Sequence, residues 1–354
     1  MKKVLLISLI LLIILFGVAF ISYNNGIKSV GSNDTDIEFN VGEGSSFLSI
    51  ARDLKKAKLI KSEFFYKLYI KIHHVSNIES GVYILNNKMN VKKITKTLQG
   101  KSINPNTISI TFKEGYDMTD IIKEIIDNTN NTQDDILNKL NDSDYLNSLI
   151  EKYWFIDESI LNDQLYYSLE GYLYPNTYQF DDKDVSVEDI FNTMIDQMDK
   201  QLKPVKGSID TSNYKPHQLL TLASIIELEG VHSDDRNGIA SVFYNRLNAN
   251  MNLGSDVTTY YGARVKMSER DLYVQELNSE NPYNTRNINM AGQLPIGPIC
   301  NPSIESIKAA VNPSSGEYYY FVADKNKKTY FSKTYQEHEN TIAKLKKEGL
   351  WYEY

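Results

Sequence analysis

The chain opens with a long apolar run interrupted only by two serines, Ser8 and Ser22. Residues 4–22 read VLLISLILLIILFGVAFIS and carry no charge. A bilayer core takes about 20 apolar residues in a helix, whereas a cleaved leader has an apolar core of about 7–15. Phe20-Ile21-Ser22-Tyr23 is a poor cleavage site, and no cysteine follows for lipid attachment. The pattern therefore predicts an uncleaved, single-pass transmembrane anchor over 4–23. Residues 1–3 stay cytoplasmic, because Lys2 and Lys3 belong on that side. Residues 24–36, polar with Gly and Ser, predict a linker. The remainder then lies on the extracytoplasmic side of the plasma membrane.

Beyond the linker the pattern repeats. Ile37, Phe39 and Val41 alternate with polar residues, lead into Glu43-Gly44, and are followed by Ile50 and Leu54. Ile108, Ile110 and Phe112 do the same before Glu114-Gly115, followed by Ile121 and Ile125, 71 residues later throughout. Alternation predicts a strand, Glu-Gly a turn, and apolar residues three or four apart a helix. A second pair of strand–turn–helix passages starts at Gly81 and Gly171. The chain thus reads as α+β: a small α+β module over 37–101 and a larger mixed α+β domain over 104–354, which opens with a related unit. A polar, Asn- and Asp-rich helical insert at about 127–165 interrupts that unit.

The longest apolar helix of the larger domain is interrupted by acid. Residues 219–228 read LLTLASIIEL, with Pro216 placed as a first-turn proline and Gly230 as a stop. At about 100° per residue, Glu227 and Glu229 fall on opposite borders of the apolar stripe. The wheel does not choose between them. A carboxyl half-buried beside apolar groups resists ionisation, so its pKa rises toward the range a general acid needs. Ala223 and Ser224, one turn earlier, are small and leave room for a ligand. The plainer reading is that both glutamates reach solvent or pair with Arg236 or Arg246.

Composition removes several classes. Net charge is −7, so a nucleic-acid binder, which wants a basic face, is disfavoured. Cys300 is the single cysteine, which leaves no internal disulfide and no CxxC site. The five histidines form no HExxH pair. Residues 229–235 could be drawn as a metal loop around His232, but Ser and Asp after a glycine ordinarily cap the next helix.

Several segments together resemble one family. They are ASIIELEG (223–230) with Arg236 and Ala240–Leu247, Leu253–Gly262 with Asp256, Pro282–Thr285, Gln293–Pro302, Tyr319–Ala323, and Leu169–Tyr178 with Glu170-Gly171. The set is similar to the MltG (YceG-like) family of membrane-anchored endolytic murein transglycosylases. The resemblance covers essentially the whole chain. It implies that module 37–101 is LysM-like and that 104–354 is catalytic. It also implies cleavage of the MurNAc–GlcNAc β-1,4 bond without water, giving 1,6-anhydroMurNAc ends and limiting the elongation of nascent glycan strands.

In that family the first Glu of the Ala-Ser-Ile-x-Glu segment is the catalytic acid, which is Glu227 here. One carboxyl serves both steps, so no metal or cofactor is implied. Asp256, Tyr283, Asn284, Thr285 and Gln293 are the expected groove-lining, substrate-binding residues. Glu229, Asn245 and Arg246 are expected in support. Expected partners are peptidoglycan glycan strands, with penicillin-binding proteins and other elongation or division components. Thr329 stands where the family usually has a histidine, and Ile296 where it usually has proline. Two other readings stay open: a hydrolytic muramidase in which Asp256 or Glu170 activates water, and a wall-binding scaffold without catalysis.

Overall fold

The computed structural model describes residues 2–32, 35–42, 44–100, 102, 106–230 and 233–351, the side chains of 2–5, 233 and 234 excepted. The charges of Lys2 and Lys3, the Glu43 turn and His232 thus lie outside the described residues. Contacts divide the chain into two compact units, Met1–Thr107 and Ile108–Tyr354.

The first unit begins with helix α1 (Lys2–Gly26), whose stretch Leu6–Gly26 has mean hydropathy 2.8, long and apolar enough to cross a membrane. Then follow β1 (Ile37–Val41), α2 (Phe47–Lys56), α3 (Glu63–Ile72), β2 (Gly81–Leu85) and α4 (Val91–Leu98). Strands β1 and β2 pair antiparallel, and Phe39, Val41, Tyr83 and Leu85 face a core shared with Leu54, Tyr66 and Ile94. Ser46, Ser62 and Asn90 cap the three helices through their side-chain oxygens. The expected linker is partly folded onto this module. Tyr23 meets Phe65 edge to face, Ile27 packs on the core, Ile27 O accepts from Val91 N, and Gly31 N donates to Asn87 O. Ile27 has apolar surface to bury, and the missing side chain of Gly26 lets the Phe65 ring approach.

The second unit repeats the same topology with additions. It contains β3 (Ile108–Phe112), α5 (Met118–Asn128), α6 (Gln133–Leu140), α7 (Ser143–Lys152), β4 (Asn176–Phe180) and α8 (Val187–Leu202). Then come α9 (Lys206–Asp210), α10 (Pro216–Glu229), α11 (Ser233–Asn248), α12 (Asp256–Ala263), α13 (Val274–Leu277), α14 (Ile304–Val311), β5 (Tyr320–Ala323), β6 (Thr329–Ser332) and α15 (Tyr335–Lys347). Each repeat pairs the first residue of its first strand with the last of its second, Ile37 with Leu85 and Ile108 with Phe180. The insert supplies α6 and α7. The passage from Gly171 is strand only from Asn176. Tyr172 and Leu173 turn inward instead, fully buried, with Leu173 N donating to Asn301 Oδ1 at 2.9 Å.

Helix α10 runs through the centre of this unit. The amphipathic stripe expected of it does not describe it, because every residue from Leu219 to Ile226 is buried. Neighbouring helices cover all its sides, α14 and α11 foremost. Burying each large aliphatic side chain contributes about 1.5–3 kcal/mol, so α10 is fixed by packing. Pro216 starts it and the Gln218 side chain accepts from Lys215 N at 2.9 Å.

Candidate active site

Glu227 sits in the last turn of α10 with its side chain 6% exposed. Both oxygens are engaged. Oε1 accepts from Arg236 Nη2 at 2.9 Å. Oε2 accepts from Ser303 N at 2.9 Å and from Ser303 Oγ at 2.5 Å. The plainer reading of the sequence, a pairing with Arg236, is therefore present at a carboxylate that is also enclosed. Two local features make this arrangement. Ser303 is the N-cap of α14, accepting from Ser306 N at 3.3 Å, so helix capping fixes its position. Gly230 leaves the path for Arg236 clear, since a Cβ there would lie 2.8 Å from Arg236 Cγ.

The space expected beside Ala223 and Ser224 is filled by the protein itself. Ser224 Oγ accepts from Ile299 N at 3.0 Å, and Cys300 Sγ donates to Ser224 O. Glu227 instead meets the turn after β3. Gly115, at φ +78°, lets this turn close over α10; a Cβ on it would meet Leu228 Cδ2 at 3.4 Å and Glu227 Cγ at 3.8 Å. The turn is bonded to the loop before α14 through Gly115 N to Asn301 O and Asn301 N to Tyr116 O. It also brings Glu114 near Glu227. Burial, then the charges of Glu227 and Glu305, hold the Glu114 carboxyl above its ordinary value, with Arg236 opposing.

A cavity of about 270 Å³ starts at Gly115 and Leu228 and runs past Val257 and Tyr261 to Lys266. A second, of about 200 Å³, shares Asp117, Tyr261, Val265 and Lys266 with it and extends to Tyr166, Tyr167 and Arg264. Tyr166 and Tyr167 in turn border a third, of about 450 Å³, whose other wall is the α6–α7 insert with Asn141, Ser143 and Asn147. Arg264 lies over the Tyr166 ring at 4.0 Å. Lys266 holds Asp117 at 2.5 Å and Asp120 at 3.0 Å. Burial pushes Asp117 up, but Lys266 and the Thr119 hydroxyl bring it below its usual range. The linings combine tyrosines and asparagines with charged side chains, of which Asp117, Asp120 and Lys266 are paired with one another.

The expected groove residues divide. Tyr283, Asn284 and Thr285 are fully buried, which corrects the expectation that they line the groove. Tyr283 packs between Tyr166 and Tyr261, ring centres 4.9 and 4.8 Å away. Asn284 Nδ2 donates to Leu277 O and Ser279 O, and its Oδ1 accepts from Thr259. Thr285 Oγ1 accepts from Ser255 N and bonds Thr258 Oγ1. Their polar atoms are spent on the protein because Asn and Thr in a buried turn must satisfy the backbone around them. Asp256 is half-exposed and paired with Arg286, and Gln293 is exposed and donates to Asn289 O.

The supporting residues brace the same wall. Glu229 accepts from Ser255 Oγ at 2.6 Å, and burial holds its carboxyl above the usual range. Asn245 donates to Gly316 O and Tyr318 O, while Arg246 donates to Tyr319 O and Leu253 O, both at 2.6 Å. Thr329, in the place of the family's usual histidine, donates to Asp235 Oδ2 at 2.7 Å, next to Arg236.

Glu170 is 2% exposed and accepts from Met118 N, Tyr261 OH and Asn301 Nδ2. Burial, and secondarily the charge of Asp117, pushes it up to about 8. Enclosed in this way it joins α5, α12 and the loop before α14, and it has no access to activate water. Sequence reasoning missed Ser303 and Glu114 as neighbours of Glu227. Ser303 was findable as an N-cap before the apolar run of α14, but nothing local pointed it at Glu227.

Comparison with known proteins accords with this geometry. The YceG-like family model matches residues 39–344. An endolytic murein transglycosylase of Bacillus subtilis is 35% identical over 94% of this chain and 91% of its own length. One from Streptococcus pneumoniae strain D39 is 30% identical over 87% of this chain, which spans 58% of that longer protein. A crystal structure of a YceG-like protein from Listeria monocytogenes superposes with a TM-score of 0.61 at 33% identity, covering 87% of this chain and all of the other. The chain belongs to the YceG-like family.

Proposed function

We propose that this protein is an endolytic murein transglycosylase, a lyase acting on peptidoglycan, and that Glu227 carries its chemistry. The observation behind this is one carboxylate at the end of a buried helix, held by three donors and flanked by Gly115 and Leu228, which line a cavity together with Tyr260 and Tyr261. In this reading the glycan lies along the cavities with the scissile MurNAc–GlcNAc bond at Glu227. Protonated Glu227 donates to the glycosidic oxygen as the bond breaks. The carboxylate then takes the proton of the muramyl 6-hydroxyl, which attacks its own C1 and closes the 1,6-anhydro ring. Attack within one sugar draws on high effective molarity, so no activated water is required.

By the same reading α1 anchors the protein in the plasma membrane with the second unit on the outer side. The chain would cut nascent strands there and limit their length. The first unit serves as a LysM-like module, and the synthetic machinery, penicillin-binding proteins included, is the expected protein partner.

Mass spectrometry of murein digested in 18O-labelled water by wild type and Glu227→Gln tests this. Anhydromuramyl ends without label, lost in the variant, support the reading. Reducing ends carrying label indicate a hydrolase, for which Glu114 is the second carboxylate near Glu227.

A further inference from the structure

The two oxygens of Glu227 are held by different numbers of bonds. Oε2 is held by the N–H and hydroxyl of Ser303, a fully buried residue clamped as the N-cap of α14. That hydroxyl has one proton, and its acceptor side is taken by Ser306 N, so the proton is directed at Glu227. Oε1 is held by a single end-on bond from Arg236, a long side chain whose Nε is buried without a partner. One bond to Oε1 is lost to an incoming ligand at smaller cost than two bonds to Oε2 from a capped helix terminus.

We propose that Ser303 is the positioning residue of Glu227, fixing Oε2 so that proton transfer to and from the sugar runs through Oε1. This rests on the reading of Glu227 as the acid. In the first half, the Oε1–H bond breaks as its proton joins the glycosidic oxygen and the C1–O bond parts with its electron pair on that oxygen. In the second half, the 6-hydroxyl O–H bond breaks, its proton returns to Oε1, and the oxygen bonds C1. Arg236 leaves Oε1 as the glycosidic oxygen arrives. Ser303 stays on Oε2 through both halves and stops the carboxyl from turning.

Ser303→Gly keeps the backbone N–H and serves nearly as well as an N-cap, so it removes the hydroxyl alone. Full-length protein in detergent is assayed on uncrosslinked MurNAc–GlcNAc glycan, with kcat and KM measured separately and the melting temperature as a control. One hydrogen bond to a charged group predicts that kcat falls about 10- to 100-fold with KM unchanged, and that Ser303→Thr restores it. Ser303→Ala replaces the Gly variant if that does not fold. Wild-type kcat, a defect confined to KM, or a Thr variant no better than Gly overturns the assignment. Glu227→Gln is run beside these. If it cleaves at the wild-type rate, the reading of Glu227 fails; if it is inactive while Ser303→Gly is fully active, only the role of Ser303 fails.

Discussion

Glu170 makes stability depend on pH in a calculable way. Its carboxyl is pushed up to about 8 in the folded chain, from 4.5, by burial first and Asp117 second. As pH rises above 4.5 the unfolded chain releases this proton while the folded chain keeps it. The folded state therefore binds more protons, and the stability contributed by neutral Glu170, full below 4.5, is lost as pH climbs to about 8. Each pH unit across that window removes about 1.4 kcal/mol, or about 4–5 kcal/mol in all. Glu170→Gln abolishes the titration and keeps the size of the side chain. Denaturant melts of both proteins, followed by tryptophan fluorescence in detergent at several pH values, give a difference in which other titrating groups cancel. The variant should gain on the wild type by roughly 1 kcal/mol per pH unit between about 5 and 8. A difference that does not change with pH refutes the assignment of a neutral, enclosed carboxyl.

Other predictions follow from single contacts. Glu227→Gln should lower the cleavage rate about 10²- to 10⁴-fold, with circular dichroism and melting temperature close to wild type. Arg246→Ala strips donors from the carbonyls of half-buried Tyr319 and buried Leu253, and the unpaired acceptors should cost about 1–3 kcal/mol in a denaturant melt. Arg264→Ala removes an exposed guanidinium lying over Tyr166; if the glycan follows the proposed path along the cavity that Arg264 lines, kinetics on defined glycans should show KM rising several-fold with kcat unchanged.

The sequence by itself determined several elements and their order. Nineteen uncharged, almost wholly apolar residues in a row make α1, alternation at 37–41 and 108–112 makes β1 and β3, and Pro216 with Gly230 bounds α10, because these signals are local. It also brought Glu227 to notice, as a charge where a buried helix ends, and the motifs around it pointed to the family. Tertiary structure alone decided what surrounds that carboxylate. Ser303 lies 76 residues further on and Glu114 more than a hundred earlier, and they meet Glu227 because α14 packs on α10 and the β3 turn closes over both. It also turned Tyr283, Asn284 and Thr285 inward, since a polar turn gives no local sign of whether its side chains serve a ligand or the backbone beside them. Hydrophobic periodicity fixes which face of an element is buried; which polar groups meet across the packed faces is set by the packing of elements distant in sequence.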